Sequence, residues 1–343
     1  MDSNRQFRLR ARPRDLIDSS TFELVEEAVP TPGPGQALVR NRVLSIDPSN
    51  RIWLRSQESY LPPVELGSVM RAFGIGQVVA SEHKRYQDGD LVFGLLGWQD
   101  YALIGKGQLS FDAPVDQSLG VPIESMLGIT LNGPTAYFGI EDVGRPKPDE
   151  TVVVSAAAGA TGSIAGQIAK LRGSRVVGIA GGPEKCSWLA DELGFDAAVD
   201  RHAEDWQAQL DRACPDGIDV DFENVGGQIL EAVLERVNLH SRVVLCGLLA
   251  EYNQDGMGTG PRNFELTLHR RVTIQGFILS DYLDRMREAT AALGEWVAEG
   301  KLKQRIHVLE GLEAAPDAVN MLFTGDHIGK LVLRITDDGL QPL

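Results

Sequence analysis

Apolar positions fall into two textures along the chain. Over roughly the first third they form short runs broken by dense turn residues. Ala37 to Ile46, Ile75 to Ala80 and Leu91 to Leu96 are such runs. Their lengths, and the Gly, Asp and Pro around them, predict strands. The cluster Pro30, Pro32, Gly33, Pro34, Gly35 reads as a turn between strands, as do Pro62-Pro63 and Asp88-Gly89-Asp90. Together these predict a small barrel or a strongly bent sheet.

From about residue 150 strand and helix patterns alternate. Thr151 to Ser155, Ser174 to Ala180, Ala197 to Asp200, Ile218 to Phe222 and Arg242 to Cys246 read as strands. Ser163 to Arg172 carries Ile164, Ile168 and Leu171 on one helical face. Glu184 to Leu193, Trp206 to Ala213 and Ile229 to Val237 also read as helices. Strands alternating with helices of roughly ten residues imply βαβ units and a parallel sheet. The alternation has stopped before Gly329 to Ile335, a last strand that returns to the first region. No internal repeat or low-complexity tract interrupts the pattern.

The first βα junction carries the chemistry. Ala156, Gly159 and Gly162 make an AxxGxxG turn between the strand and the helix. Gly159 lets the backbone approach a pyrophosphate, and Gly162 lets the helix pack closely on the strand. The helix N-terminus then offers unpaired N–H groups to the anion. A glycine pattern alone is weak, and the flanking strand and helix give it weight. NAD sites place an acid at the tip of the second strand, for the ribose 2′-OH. Here Ala180 is followed by Gly181-Gly182-Pro183-Glu184-Lys185, with no carboxylate at the tip. Lys185 is positioned to meet a 2′-phosphate, which favours NADP.

Composition narrows the function classes. The 343 residues suggest two domains, at about 150 residues each. Lys+Arg is 33 and Asp+Glu 48, a balance of −15 that argues against general nucleic-acid binding. Cys186, Cys214 and Cys246 are far apart and form no CxxC, so neither a disulfide framework nor a four-thiolate zinc site is expected, and a reducing, cytoplasmic compartment fits. The first 15 residues hold five arginines and no apolar core, so no secretory signal is expected. No run is apolar enough to span a membrane. The six histidines form no HxxxH or compact cluster, so no metal site is expected, and no GxSxG elbow occurs. The chemistry therefore falls to a cofactor, with the protein supplying orientation and a proton donor.

Several further stretches carry a family resemblance. Leu44-Ser45-Ile46-Asp47-Pro48, Gly89-Asp90-Leu91-Val92, Gly97-Trp98-Gln99-Asp100-Tyr101 and Pro134 to Gly139 stand in order before the glycine turn. Ala156 to Lys170, Glu223-Asn224-Val225-Gly226-Gly227, Cys246 to Asn253, Gly276 to Asp281 and Gly325 to Lys330 follow. With these motifs the chain resembles the zinc-independent branch of the medium-chain dehydrogenase/reductase superfamily. Within it, the likeness is to the prostaglandin, alkenal double-bond and curcumin reductases. Met70-Arg71-Ala72-Phe73 stands where the zinc branch has Gly-His-Glu.

The resemblance implies an α/β chain with a GroES-like β-barrel domain and a Rossmann doubly wound parallel-sheet domain. The barrel would comprise residues 1–123, completed by 301–343, with 124–300 as the inserted NADP-binding domain. The implied reaction is NADPH-dependent reduction of the double bond of an enone or enal. Hydride goes to the β-carbon, and the resulting enolate must be stabilised. By motif, Tyr252 either donates toward the enolate or holds the ribose hydroxyl that does so. Gly159, Ala160, Thr161 and Gly162 would contact the pyrophosphate, and Lys185 the 2′-phosphate. Asn224 would meet the ribose. Cys246, Gly247, Tyr252, Phe277, Ile278 and Leu279 would line the nicotinamide side, with Cys246 a small packed residue rather than a nucleophile. Two positions depart from the family. Asp200-Arg201 replaces Asn-Tyr, and Arg201 offers a charge-assisted bond to the 2′-phosphate while Asp200 works against it. His327 replaces Asn in the tail motif, and can still donate one hydrogen bond to the cofactor. A homodimer is the family default. A loop from Gln254 to Phe264, with Gly256, Gly258 and Gly260, is a candidate lid. Alternatives on the same scaffold are a quinone oxidoreductase, a secondary-alcohol dehydrogenase and a non-catalytic NADPH-binding protein.

Overall fold

The computed structural model describes residues 3–57, 59–108, 111–117, 120–254 and 258–336. The chain divides into two compact units. One comprises 1–127, 306–327 and 331–343, and the other 128–305 and 328–330.

The first unit is antiparallel, with the bent sheet of a GroES-like domain. Its central strand, Gln36–Ser45, is buried at most positions because nearly every residue is covered on one face or the other. Phe73–Ser81 and Tyr101–Gly105 both pair with it, each antiparallel. The sheet continues through Leu91–Leu95 to the two-residue strand Ala113–Pro114. Two register shifts along the first of these pairings bend the central strand, and let one strand serve two partners. The tail strand Lys330–Arg334 returns to this sheet, with Val332 opposite Ser45 and Leu333 opposite Leu44. The sequence pattern did not single out the N-terminal hairpin of Ser3–Leu9 and Phe22–Ala28. It packs through Phe7, Phe22 and Trp98, whose rings meet at 4.9 to 6.2 Å.

The second unit is a six-stranded sheet. In spatial order its strands are Ala197–Asp200, Arg175–Ala180, Thr151–Val154, Ile218–Glu223, Val237–Leu245 and Thr273–Gly276. Every pairing is parallel. Numbered by sequence within the sheet this is 3-2-1-4-5-6, the doubly wound Rossmann order. Thr151–Val154 is buried at all four positions, as a strand covered on both faces must be.

Several element boundaries differ from the sequence expectation. The helix expected at Ser163 begins three residues earlier, as Ala160–Leu171, because Gly159 is extended and closes the first intrahelical bond from Ser163 N–H at 3.0 Å. The helix expected over Ile229 to Val237 runs over Gly227–Leu234 instead. Val237 already sits opposite Ile218, and Ile218 N–H donates to Arg236 O, so sheet pairing claims the residue that periodicity gave to the helix. The following strand starts there rather than at Arg242, and passes a left-handed His240 (φ +65°). Further helices not read from the pattern include Gly133–Phe138 and Met286–Ala298.

Candidate functional site

In an open parallel sheet, ligands bind beyond the C-terminal strand ends where the strand order reverses. Here the reversal lies between Thr151–Val154 and Ile218–Glu223, so Ser155 to Gly162 and Asn224 to Gly227 flank it. Ala156 takes φ +45°, an unusual left-handed angle for a residue with a Cβ. The bend lets Ala157 N–H reach Ile179 O at 3.0 Å on the neighbouring strand. A Cβ on Gly162 would stand 2.6 Å from Ala156 O and 3.0 Å from Ala157 Cα, so only glycine lets the helix start here. The amides of Ala160, Thr161 and Gly162 precede the first closed turn and have no intrahelical acceptor. A phosphate suits this cradle of N–H groups without intrahelical acceptors, at the positive end of the helix dipole. The tail contributes Gly329, whose N–H donates to Ala158 O at 2.8 Å.

Past the second strand, Gly182 is left-handed (φ +91°) and starts the short helix Pro183–Ser187. Lys185 is half-buried on it. Arg201 is exposed, and its N–H donates to Ala180 O at 2.8 Å, which brings residue 201 beside the strand tip. Its Nε lies 3.3 Å from where a Gly181 Cβ would be. The intervening acid is turned inward: Asp200 Oδ1 accepts from Gly182 N–H at 2.7 Å and His202 N–H at 3.0 Å. Burial would raise its pKa, but these two bonds, together with the nearby His202 and Arg201, hold it below the usual carboxylate value. Asp200 thus serves the turn, and Lys185 and Arg201 bring the positive charge. His202 was not picked out from the sequence, yet its ring packs where a Gly181 side chain would be.

Asn224 is half-buried, and its amide Nδ2 donates to Ser155 O at 2.7 Å, tying the two turns together. Cys246 N–H and Gly247 N–H both donate to Glu223 O, at 2.9 and 3.0 Å. Burial, then the nearby Glu223, raise the Cys246 thiol to about 12, so it is not a thiolate nucleophile. Tyr252 caps the turn Leu249–Glu251, and its phenol oxygen accepts from Leu248 N–H at 2.9 Å. A Cβ on Gly247 would stand 3.2 Å from that oxygen. Phe277 packs its ring against Gly139 and stands edge-on to Tyr282, which itself stacks on Phe138 at 4.3 Å. Ile278 is exposed and Leu279 half-buried. His327 is half-buried with Nδ1 3.1 Å from Met321 O. In the expected lid loop, Gly256 lies outside the described residues. Among the described residues no group of three or more His, Cys, Asp or Glu could hold a metal ion.

Ser155 and Glu223 were missed by the sequence reading. Both are fully buried, and Ser155 Oγ donates to Glu223 Oε1 at 2.5 Å while accepting from Asn224 N–H at 2.7 Å. An acid at the end of an apolar strand, directly before Asn-Val-Gly-Gly, is the signal that marks it.

The chain resembles known proteins. Residues 5–111 match the family described as N-terminal domain of oxidoreductase, and residues 160–297 that described as zinc-binding dehydrogenase. The NADPH-dependent curcumin reductase of Escherichia coli K12 is 42% identical over 98% of this chain and 98% of its own. The NADP(+)-dependent 2-alkenal reductase of Nicotiana tabacum is 38% identical over 89% of this chain and 88% of its own. The crystal structure of CurA from Vibrio vulnificus in complex with NADPH matches with a TM-score of 0.90 and 39% identity, covering 97% of this chain and 99% of that one.

Proposed function

The chain belongs to the zinc-independent medium-chain dehydrogenase/reductase superfamily, in the group of curcumin, alkenal and prostaglandin reductases, and from that premise we propose how its own residues work. It is an NADPH-dependent reductase of the carbon–carbon double bond of α,β-unsaturated ketones or aldehydes. The observation that carries the reading is the charge at the second strand tip. The Asp200 carboxylate is held by two backbone amides, and cations stand at 185 and 201.

NADPH, when bound, supplies hydride to the substrate β-carbon. Gly159, Ala160, Thr161 and Gly162 hold the pyrophosphate through backbone N–H groups and the helix dipole. Lys185 and Arg201 would pair with the 2′-phosphate through charge-assisted hydrogen bonds. Asn224, Cys246, Gly247, Phe277, Ile278 and Leu279 shape the nicotinamide side. His327 would meet the cofactor from the tail through Nε2, which accepts a hydrogen bond while Nδ1–H donates to Met321 O. Tyr252 donates its phenol hydrogen to the developing enolate oxygen. The bond it accepts from Leu248 N–H polarises the phenol and strengthens that donation. A donor placed where charge develops stabilises the transition state more than the ground state.

We also read the assembly as a homodimer. The strand Thr273–Gly276 ends the sheet, and Phe264, Leu268 and Leu239 are exposed at 56%, 75% and 49%. A sheet edge with exposed apolar side chains favours pairing with a second copy. No helix among the described residues is long and apolar enough to cross a membrane. The wide spacing of the three cysteines, with no CxxC, supports the cytoplasm as the compartment.

The test is NADPH consumption with a medium-chain enal, an aryl enone and a benzoquinone. Turnover of the enal and the aryl enone is expected. Turnover of the quinone alone would overturn the reading, and binding of NADPH without any reduction would leave a binding protein.

A further inference from the structure

Asp221 and Glu223 stand two residues apart on Ile218–Glu223, and therefore on the same face of the sheet. They are 1% and 0% exposed. Asp221 lies between Val153 and Val243 on the neighbouring strands, in an apolar layer. Neither oxygen of Asp221 meets an N–H or O–H donor, and neither does Glu223 Oε2. Glu223 Oε1 is richly supplied instead. It accepts from Ser155 Oγ at 2.5 Å, Val225 N–H at 2.5 Å and Gly226 N–H at 2.9 Å.

Two bare carboxylates cannot share so dry a place. A proton on one of them resolves both the repulsion and the missing donors. The hydrogen-bond supply says which. Three donors favour the charged form of Glu223, and none favours the charged form of Asp221. We propose that Asp221 is a protonated carboxylic acid that donates to Glu223 Oε2, and that this proton keeps Glu223 in place as the positioning residue of the cofactor turns. Glu223 Oε1 fixes Ser155, where the glycine turn begins, and Val225 and Gly226, where the next helix begins. The claim about the cofactor rests on the NADPH site proposed above. The claim about the proton does not.

The groups acting on the pair are few. Burial raises Asp221 well above the usual carboxylate value, and Glu223 is the charge that adds to it. Burial also raises Glu223, against the pull of Ser155 and the turn amides. From the next strand end, Cys246 faces Glu223 with its thiol protonated. As the pH rises, Asp221 loses its proton and a second negative charge appears beside Glu223. Glu223 is then driven from its donors, and the turns loosen.

Asp221→Asn tests this, because its amide N–H permanently replaces the acid proton. Infrared spectroscopy of the whole protein at neutral pH should show the carbonyl band of a buried protonated acid. That band should vanish in Asp221→Asn. The wild-type NADPH dissociation constant, followed by nicotinamide fluorescence, should rise on the order of tenfold on the alkaline side, the loss expected for one buried charge-assisted bond. Relative to it, Asp221→Asn should stay flat. Glu223→Gln is the second variant. Its amide donates to Asp221, so the acid band should vanish at neutral pH while the protein stays folded. No acid band in the wild type, or a band that survives Asp221→Asn, would overturn the shared proton. Identical alkaline profiles for wild type and Asp221→Asn would overturn the positioning role. If the protein binds NADPH with these profiles yet reduces no enone, the reductase reading fails and this inference stands.

Discussion

Lys185 and Arg201 face the same question at the residue scale: which dinucleotide the chain accepts. A charge-assisted bond to a phosphate is worth about 1.5–3 kcal/mol. Lys185→Ala should therefore raise the KM for NADPH roughly ten- to a hundredfold and barely move that for NADH. Steady-state kinetics with both cofactors checks this, and equal effects would remove Lys185 from the phosphate. Tyr252→Phe deletes the phenol but keeps the ring. We expect kcat for an enone to fall on the order of a hundredfold, as for one lost donor at a developing oxyanion. An unchanged kcat would make Tyr252 structural. Both residues were proposed from the sequence, Lys185 from its place after the second strand and Tyr252 from its motif. The inward turn of Asp200 was not, because it depends on where the Gly182 and His202 amides point.

At the scale of elements, the glycine turn is a packing device as well as a phosphate cradle. The first turn of Ala160–Leu171 touches the backbone of Ala156 and Ala157 through Gly162. In Gly162→Val, added atoms would meet backbone, which cannot yield as a flexible side chain does. The expected loss is about 1–3 kcal/mol in urea unfolding, the usual cost of overpacking, together with weaker NADPH binding. A stability unchanged within error would contradict the close approach. Most strands here, and four of the helices, could be read from apolar periodicity. Gly227–Leu234 ended early because Val237 had a partner strand, and a period counted along one chain segment contains no partner. The N-terminal hairpin escaped for a related reason. On Phe22–Ala28 the residues past Phe22 are mostly exposed, so no apolar run announces the strand.

Over the whole molecule, opposed carboxylates shape the response to pH. Burial would raise Asp196 and Glu150, but Lys170 with the Val176 amide, and Arg242 with the Lys147 amide, hold each below its ordinary value of 3.8 or 4.5. Groups lowered in the folded state stabilise above their unfolded values, and that stability is lost as pH falls through the folded ones. Asp221 has the opposite sign. Its raised value means stability is greatest below 3.8 and declines as pH rises toward the folded value. Urea unfolding across a pH series should therefore show an acid fall below about pH 4.5, and Asp221→Asn should remove part of the decline above it. A series in which that variant tracks the wild type throughout would contradict the sign assigned to Asp221.

The sequence by itself determined the two textures, the parallel α/β unit, the glycine turn and the cation after the second strand. These are written in local spacing, since a strand–turn–helix needs its glycines at fixed offsets and a helix its apolar residues at a fixed period. Only the tertiary structure decided which carboxylates face amides and which face each other. Asp200 and Asp221 are both acids on Rossmann strands, and nothing in their neighbours along the chain separates them. One lies within reach of two N–H groups. The other is enclosed by valines and a second acid, so its charge depends on partners that only folding brings near.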